Sequence, residues 1–230
     1  MKITVIYSQN HKGSTYHIAR SLAEKLGGEI TEFFLPRDFN DYCCGCTTCF
    51  LVSECKCPHY KKLAPITKAI DESDVFILAS PVYVLHATAA MKNLLDHYGW
   101  RYMVHRPEEK MFKKQAVCIT TAAGGGMSSA LKDMADSVFH WGVPKIYKYG
   151  VALFELQWDK VSPERKRSID KKLDSIADSI WKNCGHVKAG LKTKGMFTVV
   201  QMLHLVMDNK KDKGYWIRKG WMGDKRPWNK

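Results

Sequence analysis

Five short, nearly unbroken apolar runs punctuate the first 154 residues: Lys2–Tyr7, Ile30–Leu35, Val75–Ala79, Gln115–Thr120 and Ile146–Phe154. Between them, apolar positions recur every three or four residues. Ile18, Ala19, Leu22 and Leu26 make one such stripe within Ser14–Leu26, and Ile169, Leu173, Ile176 and Ile180 make another within Pro163–Asn183. Leu63–Asp71, Ala87–Tyr98 and Ser128–Phe139 carry the same period. Unbroken runs predict strands buried on both faces, and the longer period predicts helices. Strands alternating with helices predict an α/β fold, a doubly wound five-stranded parallel sheet with helices on both faces, because right-handed crossovers place helices on either side. Residues 1–185 are expected to form this domain, and residues 186–230 a helical extension packing on the domain or on a partner subunit. Met196–Met207, the longest apolar stretch, falls well short of the about 20 residues that cross a bilayer. No leader pattern follows Met1, so a cytoplasmic location is expected.

Composition narrows the classes. A 45% hydrophobic and 26% charged chain of 230 residues is neither disordered nor fibrous. The net charge of +13 favours an anionic cofactor or an acidic surface, because the basic residues are spread along the chain and grow denser only towards its end. There they interleave with Trp216, Trp221 and Trp228, a pattern open to a packed helix, a membrane surface or stacked bases. A packed helix is the simplest reading, and no specific nucleic-acid motif is present.

In such a sheet, ligands bind outside the carboxyl ends of the strands, where the strand order reverses. Three loops fall there. Ser8–Thr15 (SQNHKGST) leads from the first strand into a helix whose free N–H groups and dipole suit a phosphate, although Ser14 is equally readable as a plain cap. It lacks both the dinucleotide fingerprint and the lysine-bearing triphosphate loop, so a monophosphate fits better. Ser80–Val84 offers a proline-fixed backbone and an aromatic ring, or simply a turn. Thr120–Gly126 offers glycines that let backbone approach a flat ring, or a flexible connection. His11, His59, His86 and His97 lie near these loops but sit in no ligand or nucleophile pattern, and read as solvated surface residues.

Taken together, SQNHKGST, the cysteine loop and SPVYVLHATAAMKNLLDHYGW resemble the NAD(P)H-dependent FMN reductases and iron–sulfur flavoproteins of the flavodoxin-like superfamily. The resemblance runs from Met1 to about Asn183. It implies a flavodoxin-like sheet and bound FMN, its phosphate on Ser8, Asn10, Gly13, Ser14 and Thr15. Pro81, Val82, Tyr83 and Val84 on one side, and Thr121, Ala122, Gly124 and Gly125 on the other, would flank the isoalloxazine. Ser14 stands where the family often has Asn. The implied activity is hydride transfer from NAD(P)H through FMN to a second acceptor such as a flavin or quinone, in a homodimer or homotetramer. An electron-transfer protein without nicotinamide turnover is the alternative.

Cys43, Cys46, Cys49 and Cys55 follow the spacing C-x2-C-x2-C-x5-C, which resembles the compact motif of iron–sulfur flavoproteins and implies a [4Fe–4S] cluster. Four thiolates also suit zinc, and reduced thiols lining a contact suit the same residues. Cys44 and Cys57 leave the ligand set open.

Overall fold

The computed structural model describes residues 1–207 and 209–229. Its strands are β1 (Lys2–Tyr7), β2 (Glu29–Phe34), β3 (Val75–Ala79), β4 (Val82–Tyr83), β5 (His86–Ala87), β6 (Gln115–Ala122) and β7 (Lys145–Ala152). Its helices are α1 (Ser14–Leu26), α2 (Leu35–Asp38), α3 (Thr48–Leu51), α4 (Tyr60–Glu72), α5 (Ala89–His97), α6 (Met127–His140), α7 (Pro163–Asn183), α8 (Leu191–Val206) and α9 (Lys210–Arg218).

Five strands form one parallel sheet in the order β2-β1-β3-β6-β7, while β4 and β5 make a separate antiparallel hairpin. Counting only the sheet's own strands, this is the flavodoxin-like order 2-1-3-4-5, with the switch point between β1 and β3. The central strands β3 and β6 are buried throughout, whereas the edge strands β2 and β7 are half-buried, which matches a sheet covered on both faces.

Side-chain alternation divides the sheet between two cores. Phe76, Leu78, Ala116 and Cys118 pack with α4, α5 and α6 through Ile66, Leu94, Met134 and Trp141. Val75, Ile77, Val117 and Ile119 pack with α1 and α7 through Leu22, Leu26, Leu173 and Ile180. Helix α7 begins where the Ser-Pro pair predicts: Ser162 accepts the Arg165 N–H at 3.2 Å, and Pro163 supplies a preset first turn.

The chain beyond residue 185 forms two helices where one was expected. Phe197, Val200, Trp216 and Trp221 bury themselves against Met103 and Phe112 in a third cluster. Asp212, nearly inaccessible, pairs with the buried Arg106 and accepts from His105 at 2.7 Å. No helix among the described residues is long and apolar enough to cross a membrane.

One buried cation leaves a signature in pH. Burial of Lys114 pushes its ammonium down to about 8, although the nearby charges of Asp71 and Asp74 oppose this. Its folded pKa lies below the unfolded value, so the unfolded chain binds the extra proton between those values and stability rises with pH from about 8 to the ordinary lysine range. Urea unfolding as a function of pH should show this rising component in the wild type and not in Lys114→Met; identical profiles would contradict the assignment.

Candidate functional site

The loops after β1, β3 and β6 meet at the carboxyl edge of the sheet. Ser8 N–H donates to Ala79 O and Ser80 N–H to Ile119 O, each at 3.0 Å, so the strand ladder continues into the loops. Thr15 and Thr121 share a hydroxyl hydrogen bond at 2.6 Å, which joins the first loop to the third. Gln9 Nε2 donates to the Tyr83 hydroxyl, joining the first to the second. A Cβ at Gly126, whose φ is +87°, would lie 2.7 Å from Val82 Cγ1, so the third loop also touches the second.

The first loop ends in an uncapped helix start. Gly13, not Ser14, is the N-cap of α1, and no side chain caps that helix. Its first-turn N–H groups therefore lack helical partners and face the positive end of the dipole. Ser14 instead occupies the first helical position. The hydroxyls of Ser8 and Ser14 are both buried without a hydrogen-bond partner, as is that of Thr120 on β6. Buried polar atoms are nearly always paired in native proteins, so the orphaned hydroxyls of Ser8 and Ser14 beside one uncapped helix end point to an oxygen-rich ligand there, whereas Thr120 faces the other side of the sheet from Thr121. No acidic residue stands in the first turn to compete with it. An FMN phosphate fits this donor set. Asn10 is exposed and lies outside the buried cradle.

The second loop is a hairpin rather than an open loop. Tyr83 pairs with His86 and Val82 with Ala87, and Val84 and Leu85 turn the chain at φ +48° and +67°. A two-residue turn with both φ positive ordinarily uses Asn-Gly, and a β-branched residue there is strained. The hairpin is nonetheless pinned. Thr88 N–H donates to Ser80 Oγ at 3.0 Å, and Asp133 on α6 accepts from Ala87 N–H at 3.1 Å. The anchoring over-determines the turn and holds its apolar tip in water, with Val84 95% exposed. Changing Val84-Leu85 to Asn-Gly should relieve about 1–2 kcal/mol per residue and raise the thermal midpoint. A lower or unchanged midpoint would show that the turn carries no strain.

The third loop departs from the expected arrangement. Thr121 and Ala122 belong to β6 and are buried, and the Thr121 hydroxyl is bonded to Thr15 of α1. Gly124 and Gly125 are exposed with open space where a Cβ would lie, which leaves their backbone approachable. Tyr83, Val84 and Leu85 make an exposed apolar ledge at the hairpin tip, while Phe154, also exposed, lies beside Arg165 of α7. Gln9, Leu85, Thr120 and Phe154 escaped the sequence reading. Phe154, read as the end of a strand, has φ +57° beyond β7, and no pattern of residues announces that turn.

The cysteine loop between α2 and α4 contains α3 and a 3-10 turn at Glu54–Lys56. Cys43, Cys44, Cys46 and Cys55 are exposed, and Cys49 and Cys57 half-buried; all are reduced. Hydrogen bonds from Thr48 hold the Cys46 thiol below its ordinary value. Burial pushes Cys49 up, and so does the charge of Cys57, Cys43 and Cys46. Burial also pushes Cys57 up, with smaller contributions from Cys46, Cys43 and Cys44. Among the described residues, the group of three ligand atoms close enough to share an ion is Cys57, His59 and His97, rather than a set drawn from Cys43, Cys46, Cys49 and Cys55. The reading of the nearby histidines as solvated also needs correction, since His97 is only 5% exposed, wedged beneath Phe39 and His59.

An iron–sulfur flavoprotein of Archaeoglobus fulgidus is 34% identical over 132 residues, 55% of this chain and 56% of the relative. Solved structures share the fold at lower identity. A flavone reductase superposes with a TM-score of 0.61 at 14% identity, over 83% of this chain and 66% of its own. An NAD(P)H:quinone oxidoreductase from Methanothermobacter marburgensis gives 0.58 at 15% identity, over 80% and 96%. The chain thus spans little more than half of its curated relative and about two thirds of the flavone reductase. The model of NADPH-dependent FMN reductases matches residues 1–154, well over half the sequence, and the chain belongs to that family.

Proposed function

We propose that this protein is an FMN-dependent oxidoreductase that takes a hydride from NAD(P)H and delivers electrons to a second small acceptor, such as a flavin or quinone. The observation that carries this is the uncapped N-terminus of α1 with the orphaned hydroxyls of Ser8 and Ser14 beside it. Ser8, Gly13, Ser14 and Thr15 hold the phosphate, with Asn10 at the rim. Pro81–Val84, Gly124 and Gly125 border the ring, and bound FMN supplies the hydride chemistry. The chain's own part is to orient and to exclude water. Gln9 locks Tyr83 in place, Asp133 fixes the hairpin, and the ledge of Tyr83, Val84 and Leu85 offers an apolar floor to a flat acceptor. No acid or base is required of a side chain. The exposed ledge also suits a homodimer or homotetramer that covers the pocket from a second subunit.

Steady-state oxidation of NAD(P)H with a quinone acceptor tests the reading. Turnover that follows FMN content supports it, and retained FMN without turnover would leave an electron carrier.

A second reading rests on the C-x2-C-x2-C-x5-C spacing of Cys43, Cys46, Cys49 and Cys55 and on the archaeal relative, an iron–sulfur flavoprotein. Cys43, Cys46, Cys49 and Cys55 would hold a [4Fe–4S] cluster, which would supply one-electron chemistry beside the flavin. Iron and sulfide analysis after anaerobic purification decides it, and less than about one iron per chain would remove the cluster.

A further inference from the structure

Beside the thiol loop, three ligand atoms already converge. Cys57 Sγ, His59 Nδ1 and His97 Nε2 all lie within 4.8 Å of one another. In a tetrahedral zinc site, bonds of about 2.0–2.3 Å place neighbouring ligand atoms about 3.3–3.7 Å apart, so closing on an ion needs only small side-chain movement. His97 is set up for it. Its Nδ1 lies 2.8 Å from the Asn93 carbonyl, which can only accept, so Nδ1 carries the proton and Nε2 presents its lone pair. A backbone carbonyl fixing the remote nitrogen in this way is the usual outer support of a metal-bound imidazole. That lone pair accepts the His59 Nδ1–H at 2.9 Å, a bond that an ion between the two rings would replace.

The surroundings hold the three in place. Asn93 also accepts the Cys43 N–H at 3.3 Å and donates to Asp41 O at 2.9 Å, which ties the thiol loop to α5. Phe39 meets the His97 ring edge-on at 4.7 Å and closes its apolar side. Asp41 adds nearby negative charge, itself paired with Lys62 at 2.9 Å.

We infer that Cys57, His59 and His97 bind one zinc-class divalent transition-metal ion that fastens the cysteine loop to α5. Thiolate and imidazole donors select a borderline-soft ion over magnesium or calcium. The fourth position takes water or a neighbouring loop thiol. On binding, the Cys57 S–H bond breaks and its proton goes to solvent, while His59 shifts its own proton from Nδ1 to Nε2; no redox change occurs. The site is distinct from the four-thiol cluster reading, which uses neither histidine, and it does not depend on the flavin.

The FMN-loaded full-length protein, stripped with a chelator, should take up one Zn2+ or Co2+ per chain. Bound Co2+ should show the intense long-wavelength bands of tetrahedral coordination, beyond oxidised flavin absorption. His59→Ala and Cys57→Ser should each weaken Zn2+ binding by at least about 100-fold, in competition with a chromophoric chelator, and Cys55→Ser should leave it unchanged. In the wild type, Zn2+ should also slow alkylation of Cys57 and not of Cys55, as read by mass spectrometry, which needs no variant to fold. Undiminished binding in His59→Ala, equal protection of both cysteines, or no stoichiometric uptake would overturn the site.

Discussion

Replacing Ser14 with aspartate should weaken FMN binding about 1,000-fold, because a carboxylate about 4 Å from the phosphate costs about 4 kcal/mol at an effective dielectric of 20. The apoprotein should hardly notice. An acidic group in the first turn of a helix is favoured by about 0.3–1 kcal/mol, and no acidic residue is already there. The buried Ser14 hydroxyl has no partner to lose. Opposite responses of stability and affinity distinguish a ligand site from a structural one. Fluorescence titration of FMN gives the affinity and urea unfolding the stability. Ser14→Ala, which removes one donor without adding charge, should cost only about 10-fold. Wild-type affinity in Ser14→Asp would remove the phosphate from this helix end.

Asp212→Ala should have the largest effect on stability, about 3–5 kcal/mol, because it strands a buried Arg106 guanidinium. Asp212 also accepts from His105 and from Asn209 Nδ2 at 2.6 Å, so three partners are lost at once. The consequence reaches the cysteine loop. Arg106 donates to the carbonyls of Cys49 and Phe50, and once only the more distant Glu54 at 3.6 Å remains as counter-ion that grip should loosen. Thiol labelling of Cys49 should therefore accelerate in Asp212→Ala. Arg106→Met with Asp212→Met, which removes both charges, should cost much less than the single change. A single variant as stable as the wild type would mean that the ion pair does not hold the extension.

How far the sequence reveals this molecule depends on how local each cause is. The sheet and its five strands follow from unbroken apolar runs, and α7 is legible at Pro163–Asn183 because Ser162 and Pro163 are local signals. The strand ends are not so marked. Thr121 and Ala122 extend β6 because β7 pairs with them, a tertiary cause that composition does not carry. The hairpin at Val82–Ala87 is invisible because Val84-Leu85 lacks turn chemistry and is held by Asp133, 46 residues away from Ala87. Cys57 and His59 look unremarkable until His97, 38 residues on from His59, is folded against them. The phosphate loop was the most legible part of the site, since a strand, a glycine and a helix start are all consecutive. What the sequence left open there was whether Ser14 caps the helix, and the structure gives that position to Gly13.

The central claim is that the amino end of α1, with Ser8 and Ser14, receives the phosphate of a flavin mononucleotide. Titrating apoprotein with FMN and with riboflavin, which differ only in that group, tests it most directly. FMN should bind at least about 100-fold more tightly, the worth of two charge-assisted hydrogen bonds; equal affinity for the two flavins would contradict the account.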